Sequence, residues 1–310
     1  MVGALLAVSA GAVLLIVASD RLVEGAAGLA VRLRVSAVVT GVVIMGFGTS
    51  APELLVSTLA AARGSRGIGI GNLVGSNLAN LSLVLGLLGL VSAPVVSPGV
   101  LRRRLPVMAL GMAAFALVLH SLGRWEGAVL VASFIGAMAW LMSGRHNSEE
   151  VVTPGRRKES GLGDRSPALL TVLTVGGLVG TLAGAQLLVT GARDIAESLG
   201  WAEGLVGFTV TAVGTTLPEI AGALQAGRKS QTDLALGNVF GSNLFNSLAS
   251  GGAVALVSPG AVDAGLLAAS WVSVAVAACA GLMMWTGGRL GRWEGAVLLV
   301  VYAAAIPLVA

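Results

Sequence analysis

One stretch of this chain occurs twice, and the duplication limits its possible folds more than any other feature. The first copy reads Gly48-Thr49-Ser50-Ala51-Pro52-Glu53 and continues through Gly71-Asn72-Leu73-Val74-Gly75-Ser76-Asn77 to Asn80. The second reads Gly214-Thr215-Thr216-Leu217-Pro218-Glu219 and continues through Gly237-Asn238-Val239-Phe240-Gly241-Ser242-Asn243 to Asn246. The copies lie 166 positions apart, no gap is needed between positions 41 and 80, and about a third of those positions are identical. Each copy sets a proline and a carboxylate inside an apolar segment long enough to cross a bilayer. Both residue types are costly there and mark a working site.

Composition decides the solvent. The chain has 310 residues, of which 55% are hydrophobic and 11% charged, and its mean hydropathy is +0.91. Soluble domains average about 25% charged residues, so too few charges remain here to cover a surface facing water. An all-α integral membrane protein follows. The high isoelectric point, about 10.2, reflects basic residues gathered in short loops; nothing resembles a nucleic-acid-binding module. Cys279, the single cysteine, lies in an apolar run and is expected to pack internally. Met1 to Ser19 reads as the start of a first span rather than a cleaved leader.

A span needs roughly 20 apolar residues. About ten such runs are expected, near 3–29, 36–62, 68–92, 105–122, 126–143, 167–196, 204–226, 232–257, 264–286 and 294–309. The most polar break, 144–166, divides the chain into halves, 1–143 and 167–310. Gly123-Arg124-Trp125-Glu126-Gly127 recurs at 291–295, and Ser97-Pro98-Gly99 recurs at 258–260. Five spans per half is an odd number, so equivalent helices would run in opposite directions, as in the inverted-topology repeats of secondary transporters. With the 144–166 linker in the cytoplasm, fourteen of the nineteen basic residues fall inside and four outside, Arg63, Arg66, Arg124 and Arg193. The positive-inside rule thus favours termini that both lie outside.

The motif chemistry points to a cation. Pro52 and Pro218 have no N–H, so the carbonyls of Gly48 and Gly214 lose their helical donors. In hydrocarbon such a carbonyl costs several kcal/mol unless something satisfies it. Hydroxyls of Thr49, Ser50, Thr215 and Thr216 flank these breaks, with the carboxylates of Glu53 and Glu219 just beyond. On the next helix of each half, Asn72, Ser76 and Asn80, and likewise Asn238, Ser242 and Asn246, form one polar stripe at i, i+4 and i+8. Asn72, Asn77, Asn238 and Asn243 are equally suited to helix–helix bonding. Oxygen donors alone suit hard cations such as Ca2+ or Na+, and no His or Cys belongs to this set, which argues against zinc, copper or nickel. Gly46-Phe47-Gly48-Thr49-Ser50-Ala51 matches a dinucleotide fingerprint in letters but lacks its strand–turn–helix setting. No nucleophile–base arrangement is present, so neither catalysis nor a resident cofactor is expected.

These duplicated motifs resemble the two alpha repeats of the sodium/calcium exchanger family, a branch of the Ca2+/cation antiporters, and the resemblance covers essentially the whole chain. It implies ten helices as two inverted five-helix repeats, Na+-driven Ca2+ export, and sliding of the first and sixth helices against the rest. By position, Glu53 and Glu219 would hold Ca2+ and compete for Na+, and Thr49 and Thr215 would offer backbone carbonyls. Ser50, Ser76, Thr216 and Ser242 would complete the Na+ sites, with carbonyls of Gly46 and Ala212 as further ligands. Asn80 and Asn246 would line the centre. Several family members have aspartate where this chain has Asn246, and the amide argues against a potassium requirement. The linker is too short to hold the Ca2+-sensing domains of animal members. The expected protein is a multi-pass Na+/Ca2+ antiporter of a prokaryotic inner (plasma) membrane. Its partners would be Ca2+, Na+ and lipid, with no nucleic acid. A proton- or K+-coupled exchanger is the alternative, and a cation channel a more distant one.

Overall fold

The computed structural model describes residues 2–33, 37–143, 165–199 and 212–309. Most of the 144–166 linker and the start of the 204–226 run therefore lie outside the described residues. Every expected apolar run holds a described helix: α1 Val2–Leu33, α2 Gly41–Thr49, α3 Ala51–Ala62, α4 Arg66–Ser92, α5 Val100–Ser121 and α6 Arg124–Ser143 in the first half. In the second half these are α7 Pro167–Ser198, α8 Ala212–Arg228, α9 over 232–257, α10 Ala264–Gly287 and α11 Arg292–Val309. Among the described residues, six helices are long and apolar enough to cross a bilayer, and the bent pair α2–α3 makes a seventh.

Two details depart from expectation. Arg102, Arg103 and Arg104, read as loop charges, belong to a widened helical turn over Val100–Arg104. Pro106, four residues after Arg102, cannot donate to its carbonyl, which loosens that turn. Cys279 is exposed rather than packed. The inward face of α10 is instead formed by Ser273, Val276, Ala277, Ala280 and Met284, at helical spacing. Trp125 and Trp293 of the repeated Gly-Arg-Trp-Glu-Gly segment project outward, 77% and 79% exposed, as interface anchors do.

Contacts at the helix ends fix the relative direction of the halves. At the start of α4, Arg66 donates to the carbonyls of Pro259 (2.7 Å) and Ala261 (2.8 Å), just beyond the end of α9. The start of α4 therefore meets the end of its own repeat-mate, and the two run in opposite directions. The other ends agree. Val96 N–H bonds the Gly288 carbonyl and Leu290 N–H the Pro94 carbonyl, while Gly260 N–H bonds the Leu122 carbonyl at the opposite face.

Helices α1 and α7 form the most extended pairing. Both have 32 residues, about 48 Å at 1.5 Å per residue, well beyond the 30 Å of hydrocarbon. They lie antiparallel: a Cβ at Gly11 would fall 2.5 Å from Leu188 N, one at Gly25 2.5 Å from Thr174 N, and one at Gly184 2.5 Å from Leu15 N. Small residues at these crossings let the backbones touch, which is how helices associate in lipid. Neighbouring glycines test this. Gly177 faces the Leu22 backbone, its Cβ falling 2.7 Å from Leu22 Cα, whereas Gly176 has nothing within 4 Å. Thermal unfolding in detergent should show Gly177→Ala losing about 1–3 kcal/mol and Gly176→Ala gaining up to ~1 kcal/mol from helix propensity. Equal behaviour of the two would rule out the close crossing.

Candidate ion-binding site

Breaks in regular helix geometry set the site. Between α2 and α3 the chain bends by 45° at Ser50, which leaves helical geometry (φ −87°, ψ 7°). Pro52 beyond it supplies no N–H, and a π-helical turn over Gly41–Gly46 precedes it. Further π-turns begin at Asn80 (Asn80–Val84) and beside Asn246 (Phe245–Ser250), at equivalent places in the two halves. Such turns are frequent at functional sites because they free backbone groups and re-aim side chains. The expected symmetry of the proline breaks does not hold. Pro218 sits inside the continuous helix α8, and residues 207–211, which correspond to the first π-turn, lie outside the described residues.

The two carboxylates are buried, Glu53 at 1% and Glu219 at 0% exposure. Each is served by hydroxyls of the other half. Ser50 Oγ donates to Glu219 Oε1 at 2.9 Å, and the Thr49 hydroxyl lies beside the same carboxylate. Reciprocally, Thr215 hydrogen-bonds Glu53. Thr49 and Thr215 are repeat-mates, so this crossing follows the internal symmetry. Ser242 Oγ donates to the Gly46 carbonyl at 3.2 Å, which brings that backbone oxygen to the centre. Thr216 is fully buried, as are Ser76 and Asn80 on α4, which packs against α8. Ala212 is the first described residue of α8, three positions before Thr215.

Four asparagines donate hydrogen bonds through Nδ2. Asn238 Nδ2 donates to the Glu219 backbone carbonyl (3.1 Å), Asn72 Nδ2 to Ser57 Oγ (3.0 Å), Asn77 Nδ2 to Ser247 Oγ (2.9 Å) and Asn243 Nδ2 to the Val239 carbonyl (2.9 Å). The first three tie different helices together, and the fourth closes on its own helix. Asn80 Oδ1, both polar atoms of Asn246, Glu53 Oε2 and Glu219 Oε2 are buried with no hydrogen-bond partner, as are Asn77 Oδ1 and Asn243 Oδ1. An unsatisfied buried polar group costs about 1–3 kcal/mol, and more when charged. Four helices thus direct unsatisfied oxygens, two of them from carboxylates, into the interior, an arrangement that a bound cation would relieve.

A cavity of about 540 Å3 leads to this centre from one face. Pro52 and Val56 of α3, Thr215 and Pro218 of α8, and Gln186, Thr190 and Asp194 of α7 line it. Thr215 joins cavity to site, since its hydroxyl bonds Glu53. Spacing on the motif helices alone could not reveal Gln186 or Thr190, because they belong to a different helix. Ser57 was legible in principle, four residues after Glu53 on the same helical face. Two acids of α1 are held in ion pairs away from this centre: Asp20 with Lys229 at 2.8 Å and Glu24 with Arg165 at 2.6 Å.

The family model described as sodium/calcium exchanger protein matches the chain twice, over residues 3–143 and 169–309. The chain belongs to the sodium/calcium exchanger family. Each half matches separately, as the internal duplication requires. Within the family, it is similar to the putative antiporter CaxA of Alkalimonas amylolytica, with 36% identity over 97% of each chain. It is also similar to the sodium/calcium exchanger MaX1 of Methanosarcina acetivorans, with 30% identity over 95% of each. A solved structure of the sodium-calcium exchanger NCX_Mj, soaked with zero Na+ and Ca2+, superposes with a TM-score of 0.86 at 31% identity over 99% of both chains.

Proposed function

We propose that this exchanger is a secondary active Na+/Ca2+ antiporter that exports Ca2+ in exchange for Na+ influx. The observation that carries the reading is the Ser50 Oγ to Glu219 Oε1 bond, 2.9 Å across the two halves, beside buried carboxylate oxygens without partners. Two glutamates give a charge of about −2, which one Ca2+ or two Na+ would neutralise. With both acids ionised, an empty site would be a dianion in low dielectric and expensive to enclose. The carrier therefore switches sides readily when loaded and poorly when empty, which makes flux an exchange rather than a leak.

In this reading Glu53 and Glu219 carry the charge for Ca2+ and are shared by Na+. Thr49 and Thr215 contribute backbone oxygens, and Ser50, Ser76, Thr216 and Ser242 contribute hydroxyls. Carbonyls of Gly46 and Ala212 complete the outer positions, and Asn80 and Asn246 line the middle. Asn246 brings no third carboxylate, which favours coupling without K+. Residues 1–143 and 167–310 act as the two repeats, joined by a cytoplasmic 144–166 linker. The charge bias of the loops supports a cell inner-membrane location with both termini outside, and the cavity then opens outward.

Proteoliposomes holding the purified chain should take up 45Ca2+ when an outward Na+ gradient is imposed. Uptake unchanged by collapsing that gradient would sink the reading. Uptake driven by a pH gradient without Na+ would mark a proton-coupled exchanger, and flux without any counter-ion a channel.

A further inference from the structure

The 166-residue offset extends beyond the motifs. It matches Asp20 with Gln186, Val23 with Val189 and Glu24 with Thr190 on α1 and α7, and Arg63 with Lys229 just past α3 and α8. One of the two resulting pairs of surfaces is shut. Lys229 Nζ lies 2.8 Å from Asp20 Oδ1 and also donates to the Asp20 carbonyl at 3.1 Å. One turn earlier on α8, Gln225 Nε2 donates to the Ile16 carbonyl at 3.3 Å. Together they hold the C-terminal end of α8 against α1. The other pair is apart. Gln186 lines the open cavity and donates within its own helix to Thr190 Oγ1 at 3.3 Å, while Arg63 is exposed. The cavity lies at the N-terminal end of α8 and the closure at its C-terminal end, so the same sequence relationship is open on one face and closed on the other.

We propose that Asp20, Lys229 and Gln225 are positioning residues for transport, a latch sealing the face opposite the cavity that must exchange with an Arg63–Gln186 contact during each cycle. In carriers built from inverted repeats, swapping the conformations of the halves turns one open face into the other. Here the swap parts Asp20 from Lys229, uncovers Val23 as Val189 is uncovered now, and brings Arg63 against Gln186. Glu24 takes no part in the latch, being held by Arg21 at 2.9 Å and Arg165 at 2.6 Å. The two closures are unequal: one is an ion pair and the other pairs a cation with a neutral amide. The difference favours the state with the cavity open beside Gln186.

This deepens the antiporter reading, from which it takes the alternation of faces. Its test reads exposure rather than flux, so a chain that failed to exchange Na+ for Ca2+ would leave the result interpretable. Val23, fully buried in this state, becomes the reporter as Val23→Cys in a Cys279→Ser background, labelled in detergent by a hydrophilic maleimide. Asp20→Asn and Lys229→Gln should each raise its labelling rate roughly two- to five-fold, the range a half-exposed ion pair sets. Asp20→Lys combined with Lys229→Asp should restore the starting rate. Gln186→Glu should also raise the rate, by giving Arg63 a charged partner in the swapped state. Val189→Cys at the cavity should not label faster in any of these. Unchanged Val23→Cys labelling in the single variants, no rescue by the charge swap, or faster labelling at both reporters would overturn the latch.

Discussion

Glu53→Gln is expected to abolish Na+-driven Ca2+ uptake in proteoliposomes while leaving the protein folded. The side chain is 1% exposed, bonds Thr215 and directs Oε2 at no partner. The amide keeps the volume and most hydrogen bonds, so folding is preserved, but half of the site's charge is lost. Metal-site mutations that remove even an outer hydrogen-bond partner typically cost 10–100-fold, so loss of a charged ligand should lower transport at low Ca2+ on the order of 100-fold or more. Glu219→Gln should do the same, since Ser50 and Thr49 serve Glu219 as Thr215 serves Glu53. The check is initial 45Ca2+ uptake against Ca2+ concentration, beside size-exclusion profiles. Wild-type cation dependence in either variant would reduce the carboxylates to structural groups and remove the transport reading.

Gly241→Val is the second large effect, and it acts through packing. A Cβ at Gly241 would fall 2.7 Å from Val42 Cα and 2.8 Å from the Val42 carbonyl oxygen. Both are backbone atoms of the π-turn that ends at Gly46, so no side chain can move aside. The substitution must push α9 from α2, parting Ser242 from the Gly46 carbonyl it bonds at 3.2 Å. Overpacking typically costs about 1–3 kcal/mol, and displacing the proposed ligand oxygens should end transport even where the fold survives. Gly71 is the control. It lies four residues before Gly75, the repeat-mate of Gly241, but its nearest neighbour is the flexible Leu266 side chain at 3.6 Å. Gly71→Ala should keep both uptake and melting temperature. If Gly241→Val transports normally, the close approach of α2 and α9 does not hold the site together.

The duplication of the motif is what made a candidate site legible in the sequence. Serine or asparagine at a single position is ambiguous in a membrane helix. The same residues at a constant 166-residue offset, beside matching Pro-Glu pairs, identified Thr49, Ser50, Glu53, Thr215, Thr216 and Glu219 as one set. Spacing could not show which asparagines tie helices together. Asn77 and Asn80 lie three residues apart on one helix and both leave Oδ1 without a partner, yet Asn77 Nδ2 bonds Ser247 on α9. That difference depends on which helix stands opposite, a fact absent from either helix's own residues. Matching prolines likewise led to expectation of matching breaks, whereas Pro52 follows a bend at Ser50 and Pro218 lies in a continuous helix. A proline removes one donor, and the surrounding packing decides whether the chain bends.

Chemical pattern and hydropathy determined the class of fold, the duplication and the acids at its centre. Burial of polar groups in hydrocarbon is so costly that each one present is informative without coordinates. Tertiary structure decided which half serves which acid and which face is open. It also set Lys229 on Asp20 while Gln186 was left lining a cavity. Those outcomes depend on helices meeting across large sequence separations, where two arrangements of the same surfaces differ by little free energy and local sequence cannot choose between them.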